Sequence, residues 1–284
     1  MSENILQVKN LTVSTGTGTK KTDIVNNISF TIERGETFVL LGESGSGKSI
    51  TALSIMRLLP AAIKISDGSV ILHTTNLFQL PENKMRKVRG AKIGMIFQEP
   101  QTSLNPVLTA GQQISETLRQ HDNLSKKQCI KRSIELLDAV GIPDAERRIN
   151  EYPHQFSGGM KQRIMIAIAL AGKPDLLIAD EPTTALDVTI QAQVLNLLRK
   201  LQSETGMSIL FITHDIGVAS QMADHIAVMQ NGSIVELKTK KELFSNPENP
   251  YTQKLFDAIP SWEKRTEENE IEEIERTEHT TLLK

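Results

Sequence analysis

Eight residues, Gly42-Glu43-Ser44-Gly45-Ser46-Gly47-Lys48-Ser49, constrain this chain more than any other stretch. They follow an apolar run, TFVLL at 37–41, and lead into SITALSIMRLL, whose apolar spacing is helical. Strand, glycine-rich turn and helix, in that order, is the context a phosphate-cradling loop requires. Glycines let the backbone wrap around phosphate oxygens, so that several N–H groups and the helix N-terminus face the anion. Lys48 then reaches the outer phosphates, and the Ser49 hydroxyl can coordinate Mg²⁺. A chance Gly/Ser-rich turn is the competing reading, and it leaves the strand, the helix and all eight positions to coincidence.

The rest of the body alternates strands with helices. Short runs rich in Val, Ile and Phe at 37–41, 93–97, 176–179 and 209–213 are bounded by Gly, Pro or charged residues and predict buried parallel strands. Between the last two, 189–204 places Ile190, Val194, Leu197, Leu198 and Leu201 on one helical face, and Gly206 supplies a stop. Asn231-Gly232 between HIAVMQ and SIVEL predicts a two-residue hairpin, and ILQVKNLTV and IVNNISFTI also read as strands. A small antiparallel sheet is therefore expected beside the parallel one. From 103 to 172 strand-like runs give way to helical spacing, as in Ile130, Ile134, Leu137 and Val140, which predicts a helical insertion.

Composition narrows the class. The 284 residues carry a formal charge of −2 and only 4% aromatics, so neither a global basic field nor stacking platforms favour nucleic acid. The single cysteine, Cys129, forms no internal disulfide and supplies no four-cysteine cluster, which suits a reducing compartment. The start has no apolar core with a cleavage site. The longest apolar stretch, 164–171, is far short of the roughly 20 residues of a membrane helix, so a chain neither secreted nor membrane-spanning is expected. Residues 263–278 hold eight acids against three bases, a −5 tail on a +3 body, and read as a solvated, disordered end.

Three further segments carry chemistry. At 176–181 an apolar run ends in Asp180 and Glu181, consistent with Asp180 holding Mg²⁺ through water and Glu181 activating an attacking water. Alone, the pair is equally a strand ending in solvated acids. His214, after ILFIT, can touch the outermost phosphate or orient that water, although a lone histidine at a strand end is more often structural. In FSGGMKQR at 156–163, the Ser157 hydroxyl and the Gly158 and Gly159 amides open an apolar helix and form a second candidate anion site, or simply a turn capping that helix. Because one nucleotide's phosphates are already surrounded by the first loop, the economical use of this second site is across a two-fold interface, on a partner's nucleotide.

The ordered set GESGSGKS, Gln98 in MIFQEP, FSGGMKQR, LLIADEP, TALD ending at Asp187, and ITHD with His214 resembles the ATP-binding-cassette ATPases over residues 6–237. The resemblance implies an α/β P-loop NTPase cassette with a mostly parallel central sheet, a small antiparallel β-subdomain and an inserted helical subdomain. It implies ATP and Mg²⁺ as cofactors, with Gln98 contacting the metal where the helical subdomain joins. It makes Ser157, Gly158 and Gly159 the signature that reaches the partner's ATP, and places Asp187 in the loop linking the two sites. Glu181 becomes the general base and His214 a switch histidine. QEPQTSLNPVLTAGQQI, DEPTTALDVTIQAQ and NPENPYTQKLFDAIP further resemble the ATPase subunits of dipeptide, oligopeptide and glutathione importers, features that nickel importers share.

That resemblance divides the chain into a cassette at 1–245, a C-terminal extension at 246–262 and the acidic tail at 263–284. It implies membrane permease subunits, a second cassette ATPase (a paralogue in the first place, a second copy as the alternative) and, indirectly, an extracytoplasmic substrate-binding protein, with the chain peripheral on the cytoplasmic face of the inner membrane. Three features depart from the pattern. Met160 replaces the usual glutamine after the retained Ser157, Gly158 and Gly159; Thr15 stands where an aromatic usually stacks on adenine; and the tail lacks the cysteines that hold an iron–sulfur cluster in some relatives. A soluble cassette ATPase of a non-transport complex, such as phosphonate lyase, and a nucleotide-binding regulator without turnover are the alternatives. The Pro-rich C-terminal segment argues against the first, and Lys48, Asp180, Glu181 and His214 argue against the second.

Overall fold

In a computed structural model, which describes residues 3–16, 21–122, 124–184 and 186–257, ten strands form two sheets. They are β1 (Asn4–Thr15), β2 (Thr22–Glu33), β3 (Thr37–Leu41), β4 (Ile63–Leu72), β5 (Thr75–Asn76), β6 (Ile93–Ile96), β7 (Leu176–Asp180), β8 (Ser208–Thr213), β9 (His225–Gln230) and β10 (Ser233–Thr239). The larger sheet has the order β10-β9-β3-β8-β7-β6, with every pair parallel except the edge pair β10–β9. The smaller sheet, β2-β1-β4-β5, is antiparallel throughout.

The near-continuous apolar runs of β3, β7 and β8 follow from burial on both faces of the parallel sheet. Side chains alternate across a strand, so Val39, Leu41, Leu177, Ala179, Ile209 and Phe211 join one core while Phe38, Leu40, Leu176, Ile178, Leu210 and Ile212 join the other. The first core contains the helices Ala110–His121, Lys126–Ala139, Gly158–Leu170, Val188–Thr205 and Ile216–Met222. The second lies under the antiparallel sheet and the helix Lys48–Met56, with the Phe30 and Phe38 rings stacked 4.9 Å apart between the sheets. Between β6 and β7 the chain is helical from Pro100 to Leu170, interrupted by turns and a short 3₁₀ segment at Pro153–Gln155.

The Asn231-Gly232 turn has φ of 48° and 80°, both positive as a type I′ hairpin demands. The hairpin does not belong with the small antiparallel sheet, however. Its first strand, β9, runs parallel to β3, so the turn only adds one antiparallel edge to the larger sheet. Strand β6 stops at Ile96, one residue before the expected end, and leaves Phe97 38% exposed. In the helix Lys126–Ala139, Ile130 is 44% exposed rather than on the apolar face, because Cys129, Ser133, Leu136 and Leu137 take the buried stripe. The acidic tail and the end of the expected extension lie outside the described residues. No described helix is long and apolar enough to cross a membrane.

Candidate active site

Four of the parallel strands deliver the reactive groups at their carboxyl ends: β3 leads into Gly42–Ser49, β6 is followed by Gln98, β7 ends at Asp180, and β8 is followed by His214. Two glycines of the first loop are pressed against the body. A Cβ on Gly42 would stand 2.3 Å from the Met229 carbonyl oxygen, and one on Gly47 would stand 3.0 Å from that of Ile24. A Cβ on Gly45, at φ 81°, would meet nothing within 4 Å among the described residues. The helix that follows has Gly47 as its N-cap and no side-chain cap, whereas Thr109, Ser125, Ser157, Asp187 and Asp215 each cap their helices through a side-chain oxygen. The Ser46 hydroxyl is buried and, among the described residues, has no hydrogen-bond partner. Uncapped amides and an orphaned hydroxyl around a glycine loop fit a phosphate-bearing ligand.

Lys48 is buried and folds back onto its own loop, donating to the Gly42 carbonyl at 2.7 Å and the Glu43 carbonyl at 2.9 Å. Burial pushes its ammonium pKa down, against the opposing pull of Glu181 and Asp180. Ser49 donates to Asp180 Oδ1 at 2.9 Å. Burial raises the pKa of Asp180 and the charge of Glu181 adds to it, while the Ser49 hydroxyl and Lys48 oppose. Among the described residues no cluster of three or more His, Cys, Asp or Glu side chains can hold a metal unaided. A lone carboxylate beside a hydroxyl suits a cation that takes its remaining ligands from phosphates and water.

Glu181 is the most constrained side chain of the group. Its Oε2 accepts from Gln98 Nε2 at 3.0 Å and from the Thr184 hydroxyl at 2.8 Å, and its Oε1 lies 3.2 Å from His214 Nδ1. Burial alone would raise its pKa, but the Thr184 and His214 hydrogen bonds outweigh it and hold the carboxyl below the usual range. Its backbone sits at φ 46°, a left-handed conformation that strains a non-glycine residue by about 1–3 kcal/mol. The Glu181 N–H is held by the Ile212 carbonyl at 3.0 Å. The structure thus brings Lys48, Ser49, Gln98, Asp180, Glu181 and His214 into one connected group.

Ser157, Gly158, Gly159 and Asp187 form a second group, and among the described residues no hydrogen bond links them to the first. The Ser157 hydroxyl accepts from Met160 N at 3.3 Å, and Asp187 accepts from Ile190 N at 2.9 Å. The two helix starts meet at Gly159, where a Cβ would stand 2.9 Å from Ile190 Cγ2. Beside them Val188 is 84% exposed. Glu43 and Ser44 lie on the exposed side of the first loop. Thr15 ends β1 with its hydroxyl donating to the Ala62 carbonyl at 3.2 Å. Sequence reasoning missed Thr184, whose signal is a hydroxyl three residues beyond Glu181 across Pro182, and the buried Gln162, which donates to the Pro182 carbonyl at 2.6 Å.

Residues 25–184 match the ABC transporter family, and residues 235–282 match the oligopeptide/dipeptide transporter C-terminal region. The chain is 50% identical to the dipeptide transport ATP-binding protein DppD of Bacillus subtilis, over 91% of this chain and 77% of that one. It is 49% identical to the oligopeptide transport ATP-binding protein OppD of the same organism, over 93% and 74%. Among solved structures it is similar to the dimeric ATP-binding cassette MJ0796 in a post-hydrolysis state bound to ADP and Pi, with 32% identity, a TM-score of 0.74, and coverage of 83% of this chain and 98% of that one. With the loop, the paired acids and the second serine-glycine group on one α/β frame, and with relatives at half identity, the chain belongs to the ABC transporter family.

Proposed function

We propose that this ATPase is the energising subunit of a membrane importer for peptides, and that it works as one of two cassettes closing on two ATP molecules. The observation that carries the peptide assignment is the match of residues 235–282 to the oligopeptide/dipeptide transporter C-terminal region, joined to a complete nucleotide group in the same chain. The supporting relatives are named for dipeptide and oligopeptide transport.

Lys48 leaves the Gly42 and Glu43 carbonyls to meet the outer phosphates, and the amides of Gly45, Ser46, Gly47, Lys48 and Ser49 close around them. Ser49, Asp180 and Gln98 would hold Mg²⁺, which would supply charge neutralisation on the phosphate oxygens. Glu181, ionised and fixed by Thr184, takes a proton from the attacking water, and His214 steadies it. Ser157, Gly158 and Gly159, which among the described residues make no hydrogen bond to this group, complete the partner's site. Asp187 and the exposed Val188 lie on the surface that closure buries, with the partner a paralogue or a second copy. Through its helical region the chain docks on permease subunits at the cytoplasmic membrane face, and an extracytoplasmic binding protein delivers the peptide.

In the source organism, deleting the gene and supplying an essential amino acid only as a dipeptide or tripeptide tests the assignment. Growth is lost, is restored by the intact chain, and is not restored by Glu181→Gln. Undiminished growth of the deletion strain on both peptides contradicts peptide import.

A further inference from the structure

The segment after β10 is clamped hard against the body. Glu236, buried on β10, accepts from the backbone N–H of Glu248 at 2.8 Å and of Asn249 at 3.1 Å. Lys238 donates to the Asn246 carbonyl at 2.9 Å and pairs with Glu248 at 2.9 Å. Asn249 Oδ1 accepts from Tyr251 N at 2.8 Å, which starts the helix Pro250–Asp257. On that helix Phe256 stacks on Phe244 at 5.3 Å, and Tyr251 and Leu255 pack on the first core.

A phenylalanine at 251 would satisfy that packing. What the hydroxyl adds among the described residues is one hydrogen bond: Tyr251 Oη accepts from Glu43 N at 3.3 Å, across 208 residues of sequence. The Glu43 N–H belongs to the same peptide unit as the Gly42 carbonyl, whose oxygen receives Lys48 Nζ at 2.7 Å. The first peptide of the loop is therefore held from both sides, by an ammonium on its oxygen and a phenol on its N–H. When Lys48 turns to a phosphate, the phenol is the side-chain contact that remains on that peptide.

We propose that Tyr251 is a positioning residue for the nucleotide loop, so that the C-terminal segment, held by Glu236, presets the Gly42–Glu43 peptide for ATP. The proposal rests on the reading of residues 42–49 as the nucleotide loop. Loss of the hydroxyl leaves the loop to be ordered by the ligand, which weakens binding without touching Glu181, Gln98 or His214.

Two readings on the full chain test it. In Tyr251→Phe the Glu43 amide exchanges its hydrogen faster in nucleotide-free protein, and Mg·ATP binds about 3- to 10-fold more weakly, the value of one neutral hydrogen bond. KM for ATP rises by the same factor, while kcat holds. Glu236→Gln, which loosens the clamp, moves both readings the same way, and the double variant is no worse than the poorer single. Unchanged exchange and affinity in Tyr251→Phe overturn the proposal. If that variant fails to fold, unchanged readings in Glu236→Gln overturn it instead. Lys48→Ala run alongside separates the two layers: if it too binds ATP normally, the loop reading fails; if it alone weakens binding, only the role of Tyr251 fails.

Discussion

Replacing Lys48 by alanine asks whether the buried ammonium serves the fold or the nucleotide. In the structure its Nζ makes two hydrogen bonds, to the Gly42 and Glu43 carbonyls, each of a kind worth about 1.5–3 kcal/mol when one partner is charged. Much of that is already offset, because burial has pushed the ammonium pKa down. The Glu43 carbonyl also keeps the Ser46 N–H at 3.2 Å after the substitution. A net loss of about 1–2 kcal/mol follows, which is about 2–8 °C in melting temperature. Binding responds more strongly. One lost charge-assisted phosphate contact weakens ATP by about 10- to 150-fold. Ser49 and Asp180 remain paired, so binding is reduced rather than erased. Hydrolysis falls further, by more than about 10², because charge stabilisation matters most as the phosphoryl group transfers. Nucleotide titration calorimetry, phosphate release and a thermal melt on one preparation measure all three. A folded variant with ATP affinity within twofold of the parent refutes the assignment of Lys48 to the phosphates.

Ser157→Arg removes a helix cap that accepts from Met160 N and lowers stability by about 1 kcal/mol, yet it leaves ATP binding by the isolated chain unchanged and prevents the ATP-dependent dimer. Sedimentation with and without Mg·ATP reads this, and a collapse of monomer affinity speaks against a site shared between subunits. Glu36 is buried, accepts from Glu33 N and from His225 Nδ1, and has its pKa raised by burial. The native state therefore holds its proton more tightly than the unfolded chain, and its contribution to stability falls as pH climbs above the unfolded value of about 4.3. Denaturant melts of Glu36→Gln against the parent shift in the variant's favour between acid and neutral pH, and a pH-independent difference contradicts the sign.

The strand, glycine-rich turn and helix around residues 42–49 were legible because a phosphate-cradling loop dictates residue types at eight consecutive positions, and backbone geometry there leaves glycine few substitutes, as Gly42 against Met229 shows. The Asn231-Gly232 turn was legible for the same local reason, yet the sheet it joins was not, since parallel pairing of β9 with β3 depends on residues nearly two hundred positions away. The same limit explains the site. Lys48, Asp180, Glu181 and His214 each announce a reactive group at a strand end. Their mutual order, with Gln98 and Thr184 sharing one oxygen of Glu181, comes only from packing. Ile130 went astray because helical spacing alone does not say which of two adjacent stripes meets a neighbour, and Cys129 and Ser133 took that side. Tyr251 carried no signal toward Glu43 at all.

The central claim is that Glu181 activates the water while the rest of the group holds the nucleotide, and Glu181→Gln tests it most directly. The amide fits the same place. Its oxygen can accept from Gln98 and Thr184, and its NH₂ can face His214 Nδ1 when the ring proton sits on Nε2, so the fold and Mg·ATP binding are retained. What is lost is the negative charge, and with it about 10²–10⁴ in rate. Phosphate release should fall by that factor while the ATP-bound dimer accumulates in size-exclusion chromatography with Mg·ATP, using the partner subunit where the dimer needs one. Phosphate release near the parental rate, with no accumulated dimer, would take Glu181 out of the role and contradict the account.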